Sequence, residues 1–228
     1  MGSQNSTAPR ALISWSSGKD AAYALDRVRQ QGEYNVVGLV TTINSTHARV
    51  AMHAVPESLL ELQAAAVGLP LRPLPIPWPC PNEQYEAAMD LVVARAVSEG
   101  ITHMIFGDLF LADIRSYRET RLAGTGITPV FPIWNHDTSA LAQDMLASGL
   151  RARIACVDPA RLDPAFAGRE FDQALLDELP AEVDACGENG EFHTFAYDGG
   201  AFRQPVPVDC AGTVEREGFV FADLRPRG

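Results

Sequence analysis

The sequence predicts an α/β fold, a parallel sheet covered by helices and followed by a smaller α+β region. Three observations carry this. Short apolar runs alternate with helically spaced apolar residues from Ala11 to Trp134, the rhythm of repeated βαβ units. Glycines stand where the helical patterns stop, at Gly32, Gly68 and Gly100, as helix C-termini favour. The rhythm then breaks at the polar Asn135-His136-Asp137-Thr138, which sets a boundary near residue 137.

Each element follows from a local pattern. Ala11 to Trp15 is an apolar run with a Ser-Gly-rich break behind it, a buried strand entering a tight turn. Lys19 to Gln31 carries Ala21, Ala24, Leu25 and Val28 at helical spacing. Val36 to Thr42 reads as a strand, and Pro56 to Val67 as a helix with proline in its first turn. The prolines of Leu71 to Ile76 confine that strand to an edge. Asn82 is the expected cap of a helix through Glu99, followed by a strand at Thr102 to Phe106. Asp113 to Leu122 reads as helix and Thr128 to Trp134 as extended chain. Beyond the boundary, Thr138 is the expected cap of a helix through Ser148. A strand at Arg151 to Val157, a short helix near Phe171 to Leu179 and a last strand at Phe219 to Leu224 follow. Residues 1–10 read as a loose, disordered tail, 11–137 as the first domain and 138–228 as the second.

Composition limits the function classes. The chain has 228 residues, 46% of them hydrophobic and 21% charged, an ordinary globular profile. Eighteen basic residues against 29 acidic ones leave a net charge of -11, which argues against nucleic-acid and anionic-membrane surfaces. No apolar run approaches the ~20 residues of a membrane span, and the start lacks a secretory pattern. The four cysteines form no CxxC pair, so reduced thiols and a cytoplasmic location are expected. A metal hydrolase built on Cys186, His193 and Cys210 meets irregular ligand spacing.

Three segments concentrate the chemistry. Ser14-Trp15-Ser16-Ser17-Gly18-Lys19-Asp20 lies where the first strand meets the first helix, the edge at which open parallel sheets bind ligands. Small residues there let backbone amides and the helix dipole face an anion, with Lys19 adding charge. The turn fails the Walker pattern, because Asp20 follows Gly18-Lys19, and fails the GxGxxG pattern, having one glycine. Phe106-Gly107-Asp108 ends the fourth strand, and Arg115 and Arg118 share a helix face with Glu119 beside them, an arrangement able to clamp an anion. Gly187-Glu188-Asn189-Gly190-Glu191-Phe192-His193-Thr194 sets two glutamates three residues apart between glycines. Each segment also has a plainer reading: a solvated turn, a salt-bridged helix and an acidic hairpin turn.

Ser16 to Ala21 resembles the SGGKDS signature of the PP-loop ATP pyrophosphatases, with Ser17 in place of a glycine and Ala21 in place of the last serine. Together with the GD…R..RE segment, the glutamate motif, Leu62-Gln63 with Gly68-Leu69-Pro70, and Gly126 to Trp134, it is similar to the diphthine–ammonia ligase family over roughly residues 11 to 200. The resemblance implies a HUP-like, Rossmann-like ATP-binding domain, followed by a domain that completes the substrate pocket. It implies cleavage of ATP between the α and β phosphates, adenylation of a carboxylate, and displacement of AMP by ammonia. ATP would lie against Ser14, Ser16, Ser17, Gly18, Lys19, Asp20 and Gly107, with adenine near Thr41. Mg2+ would sit on Asp20 and Asp108. Arg115, Arg118, Glu119, Asn189 and His193 would line the acceptor side. Lys19, Asp108, Glu188 and Glu191 would be catalytic, the two glutamates drawing in ammonium. The acceptor is a modified protein residue or a small-molecule carboxylate, and a homo-oligomer is left open. Two alternatives stand beside this: the same chemistry on a different acceptor, and a non-catalytic adenine-nucleotide sensor.

Overall fold

The computed structural model of the chain describes residues 8–44, 49–50 and 55–227. His47 and His53, for which the sequence suggests no partner, lie outside the described residues. Arg10 opens the first strand, β1 (Arg10–Ser14), so the expected tail gives way to sheet by that residue.

The first layer is a six-stranded sheet. After β1 come α1 (Lys19–Gln31), β2 (Asn35–Asn44), β3 (Arg49–Val50), α2 (Glu57–Val67), β4 (Leu71–Ile76), α3 (Asn82–Ser98), β5 (His103–Ile105), α4 (Ala112–Leu122) and β6 (Thr128–Val130). The parallel strands run β4-β2-β1-β5-β6, with β3 antiparallel on β2. The order reverses between β1 and β5, so their carboxyl ends flank the crevice where such sheets take ligands. The proline-bearing β4 pairs with β2 alone, at an edge as its sequence requires.

The second layer follows α5 (Thr138–Ala147): β7 (Arg151–Val157), α6 (Gln173–Glu178), β8 (Phe192–Asp198), β9 (Val208–Arg216) and β10 (Phe219–Pro226). Its four strands form an antiparallel sheet in the order β8-β7-β10-β9. One apolar core joins the layers, since Ile13, Leu25 and Leu60 belong to the same cluster as Ile154, Phe192 and Phe195. α1 lies between them. It buries Ala21, Ala22, Tyr23, Ala24, Leu25 and Val28, more of its circumference than a one-sided helix would.

Four local expectations are corrected. α3 begins after Pro81, and Asn82 is its first helical residue. Asp137, not Thr138, caps α5 by accepting from the Ala140 amide, while the Thr138 hydroxyl donates to Asp184 at 2.6 Å. Extended chain ends at Val130, and the following residues turn through Asn135, whose φ is 60°. β9 was not foreseen at all. It pairs with β10 across a tight turn at Glu217 and Gly218, both with positive φ.

Candidate active site between the two sheets

The β1–α1 turn, the β5–α4 turn and the loop before β8 converge on one cleft of about 360 Å3, within the ~300–1,000 Å3 range of small-ligand sites. Ser14, Ser16, Lys19 and Asp20 line it from the first turn, and Gly107, Asp108 and Arg118 from the second. Glu188, His193 and Thr194 line it from the C-terminal loop and β8.

Close backbone approach explains Gly107. A Cβ there would fall 2.9 Å from the Ala21 nitrogen and 2.9 Å from the Asp20 carbonyl carbon. The β5 turn is thus pressed against the first turn of α1, and only glycine fits.

Lys19 forms the floor. It is 2% exposed, and its ammonium donates to both Asp20 oxygens at 2.9 Å and to the Cys186 carbonyl at 2.5 Å. The rings of Phe171 and Phe192 stand 5.7 and 5.8 Å from Nζ. Burial works against this cation, but the charges around it, led by Asp20 and including Glu188, outweigh burial and hold its pKa well above the ordinary lysine value. It therefore remains charged although enclosed.

Opposite stands a second ion pair. Arg118 donates to Asp108 through Nε at 2.5 Å and Nη2 at 3.1 Å, a bidentate pair, and its guanidinium lies 4.3 Å from the Phe106 ring centre. Of its five N–H groups two are committed to Asp108. Glu188 is the unusual acid. Burial first, then the charges of Asp20, Asp184 and Asp108, push its carboxyl up to about 8 against the pull of Lys19. Burial, with the nearby Lys19 charge, pulls His193 below its ordinary value. The cleft thus gathers three carboxyl groups, of Asp20, Asp108 and Glu188, around two cations.

The remaining expected site residues stand off the cleft wall. The Ser17 hydroxyl is buried, off the cleft wall, with no hydrogen-bond partner among the described residues, and Gly18 is the N-cap of α1, its amide 3.3 Å from the Ser16 hydroxyl. Thr41 is 1% exposed, does not line the cleft, and donates to the Trp15 carbonyl at 2.8 Å, tying β2 to the end of β1. Arg115 pairs with Glu119 at 2.7 Å and lies 4.8 Å from both the Phe131 and Trp134 rings. Neither Arg115 nor Glu119 lines the cleft. The Glu191 carboxylate, 3% exposed, is consumed by its own loop: it accepts from the amides of Asp184 and Asn189 at 3.0 Å and from the Asn189 side chain at 3.1 Å. Glu191 and Asn189 therefore build the turn that presents Glu188.

Thr194 was missed. Gly18 gives α1 no side-chain cap, and Thr194, 175 residues away, accepts from the Lys19 amide at 3.0 Å. A cap supplied from another layer leaves no mark in the sequence around the helix; the pointer was the threonine closing the glutamate motif. Cys186 is a buried thiol pushed up to about 12, chiefly by burial, which suits packing rather than nucleophilic attack.

Comparison with known proteins matches this arrangement to one family in two parts. The model of the diphthamide synthase N-terminal domain matches residues 9–119, and that of the diphthamide synthase C-terminal domain matches residues 137–223. The chain belongs to the diphthamide synthase family. Curated relatives align over nearly all of it. The diphthine–ammonia ligase of Bos taurus is 27% identical over 94% of this chain and 87% of its own length. That of Danio rerio is 26% identical over 92% and 90%. In this diphthamide synthase family member the cleft lies at the meeting of the two matched regions, lined by residues from both. Among the described residues no helix is long and apolar enough to cross a membrane.

Proposed function

We propose that the protein is an ATP-dependent amide-forming ligase of the diphthine–ammonia ligase type, with 11–137 as the ATP-binding domain and 138–228 completing the substrate pocket. The observation that carries this is the shared floor. The one buried lysine of the phosphate turn is held by the Cys186 carbonyl of the C-terminal loop, so nucleotide and acceptor would meet over a single charge.

The chemistry assigns a step to each group. The Lys19 ammonium and the start of α1 would hold the β and γ phosphates, which leave as pyrophosphate when a carboxylate oxygen attacks the α phosphorus. Preorganised charge aimed at a leaving group is worth ~3 kcal/mol per donor. The N–H groups of Arg118 not committed to Asp108 would orient the acceptor carboxylate. Ammonia would then attack the acyl carbon and expel AMP. Glu188 would take the ammonium's proton, since a base works best with its pKa near the ambient pH and this one is pushed up to about 8.

The donor set suits Mg2+ bound with phosphate. Among the described residues no three metal-ligating side chains gather into a site, but Asp20 and Asp108 face the same cleft. Magnesium is commonly held by one or two carboxylates plus substrate phosphates. When bound there it would neutralise phosphate charge.

The test is product analysis by 31P NMR with ATP, magnesium, ammonium and acceptor carboxylates. The proposal predicts AMP and pyrophosphate in equal amounts. ADP with inorganic phosphate would overturn it.

A further inference from the structure

Gln63 lies on α2, outside every segment that lines the cleft, and is completely buried. We propose that Gln63 is a positioning residue of the nucleotide site: it holds the Ser17 peptide in the orientation that turns the Gly18 amide toward the cleft. This rests on the reading that ATP phosphates bind at the β1–α1 turn.

The hydrogen bonds carry the argument. Gln63 Oε1 accepts from the Trp15 indole at 3.0 Å, and its Nε2 donates to the Ser17 carbonyl at 3.0 Å and the Ala196 carbonyl at 2.5 Å. Both side-chain N–H groups are therefore used. The Ala196 amide donates to the same Ser17 carbonyl at 2.9 Å, so that oxygen has its full pair of donors. In a planar trans peptide the C=O and the next N–H point in opposite directions. Anchoring the Ser17 oxygen toward α2 and β8 thus turns the Gly18 N–H the other way, where the cleft-lining Ser16 hydroxyl accepts it at 3.3 Å.

The turn needs this anchor. Ser17 has φ 72°, the left-handed region that costs a side-chain-bearing residue free energy and persists only when its surroundings enforce it. Among the described residues its hydroxyl finds no hydrogen-bond partner in return. Filling space does not account for Gln63 either, because an apolar side chain would pack there without a buried amide to satisfy.

The test is a double-mutant cycle read by calorimetric titration with Mg–ATP: wild type, Gln63→Leu, Ser17→Gly and the pair together. Gln63→Leu should weaken ATP binding about tenfold, the scale of one residue's left-handed strain. It should raise KM for ATP more than it lowers kcat for pyrophosphate release. Adding Ser17→Gly should restore binding to within about threefold of wild type, since glycine holds that φ unaided. A residue that only supports the core would lower the melting temperature and show no rescue by glycine. A double variant binding no better than Gln63→Leu overturns the inference and leaves the ligase reading standing. A wild type that binds no adenine nucleotide overturns both. If Gln63→Leu does not fold, Gln63→Asn, too short to reach both carbonyls, takes its place with the same outcomes.

Discussion

Replacing Gly107 with alanine perturbs the site through one methyl group. The new Cβ would stand 2.9 Å from the Ala21 nitrogen and the Asp20 carbonyl carbon and 3.1 Å from the Asp20 oxygen. That is about 0.6 Å inside the ~3.5 Å optimum for carbon contacts. All three neighbours are backbone, so no side chain can rotate aside. α1 has little room to shift, because it is tied to the second layer by its Lys19 amide on Thr194 and to the following loop by Arg29 on the Ala201 carbonyl at 2.7 Å. Gly200 also packs so tightly on Asp26 that a Cβ there would meet Oδ1 at 2.3 Å. Overpacking of this kind costs about 1–3 kcal/mol, and each kcal/mol lowers the melting temperature of a chain this size by about 2–4 °C. A reacting group displaced by 1 Å loses about a hundredfold in rate, so a shift of half that size predicts about a tenfold loss. The assay is ATP-dependent pyrophosphate release at limiting and saturating ATP, beside a thermal melt. An alanine variant with unchanged KM, kcat and melting temperature would refute the close approach of the two turns.

Three further outcomes follow from the same geometry. Lys19→Met keeps the stem and removes the ammonium. Pyrophosphate release should drop at least about tenfold, and stability should fall by less than the ~3–5 kcal/mol of a fully buried broken pair, because Asp20 keeps 22% exposure; kinetics and denaturant titration read the two effects separately. Glu188 has a folded pKa of about 8 against an ordinary 4.5, so the folded state holds a proton that the unfolded state has lost. Stability should therefore fall as pH rises through that window, a fall that denaturant titrations across pH should show abolished in Glu188→Gln. Thr194→Val should cost about 1 kcal/mol as a lost helix cap and raise KM for ATP, whereas Thr194→Ser should keep both, as melts and kinetics will show.

Much of the first layer was legible because its signals are local. Apolar spacing set α1 at Lys19–Gln31, and Gly32, with φ 69°, closes it. β4 follows the apolar run at Leu71–Ile76, and in the second layer β7 likewise follows the run at Arg151–Val157. β9 escaped because Val208 to Arg216 is mostly exposed and carries Gly212, leaving no apolar face to read; the Glu217-Gly218 turn was its only local mark. In the site, charged residues beside glycines mark the three segments that meet in one cleft, but not where each side chain stands in it. Glu188 and Glu191 look equivalent in sequence, yet the loop's amides consume one and leave the other in the cleft. Ser17 reads as a phosphate donor until its φ of 72° shows a backbone position better suited to glycine. Thr194 and Gln63 act across 175 and 46 residues of chain, and nothing nearby in sequence announces such contacts.

The most direct test of the account is calorimetric titration of the protein with Mg–ATP and, separately, with AMP. Phosphate recognition by the first turn over Lys19 predicts that ATP binds distinctly tighter than AMP and that Lys19→Met removes the difference. Equal affinity for the two nucleotides, or no heat from either at about 1 mM, the weak end of ligand affinities, would contradict it.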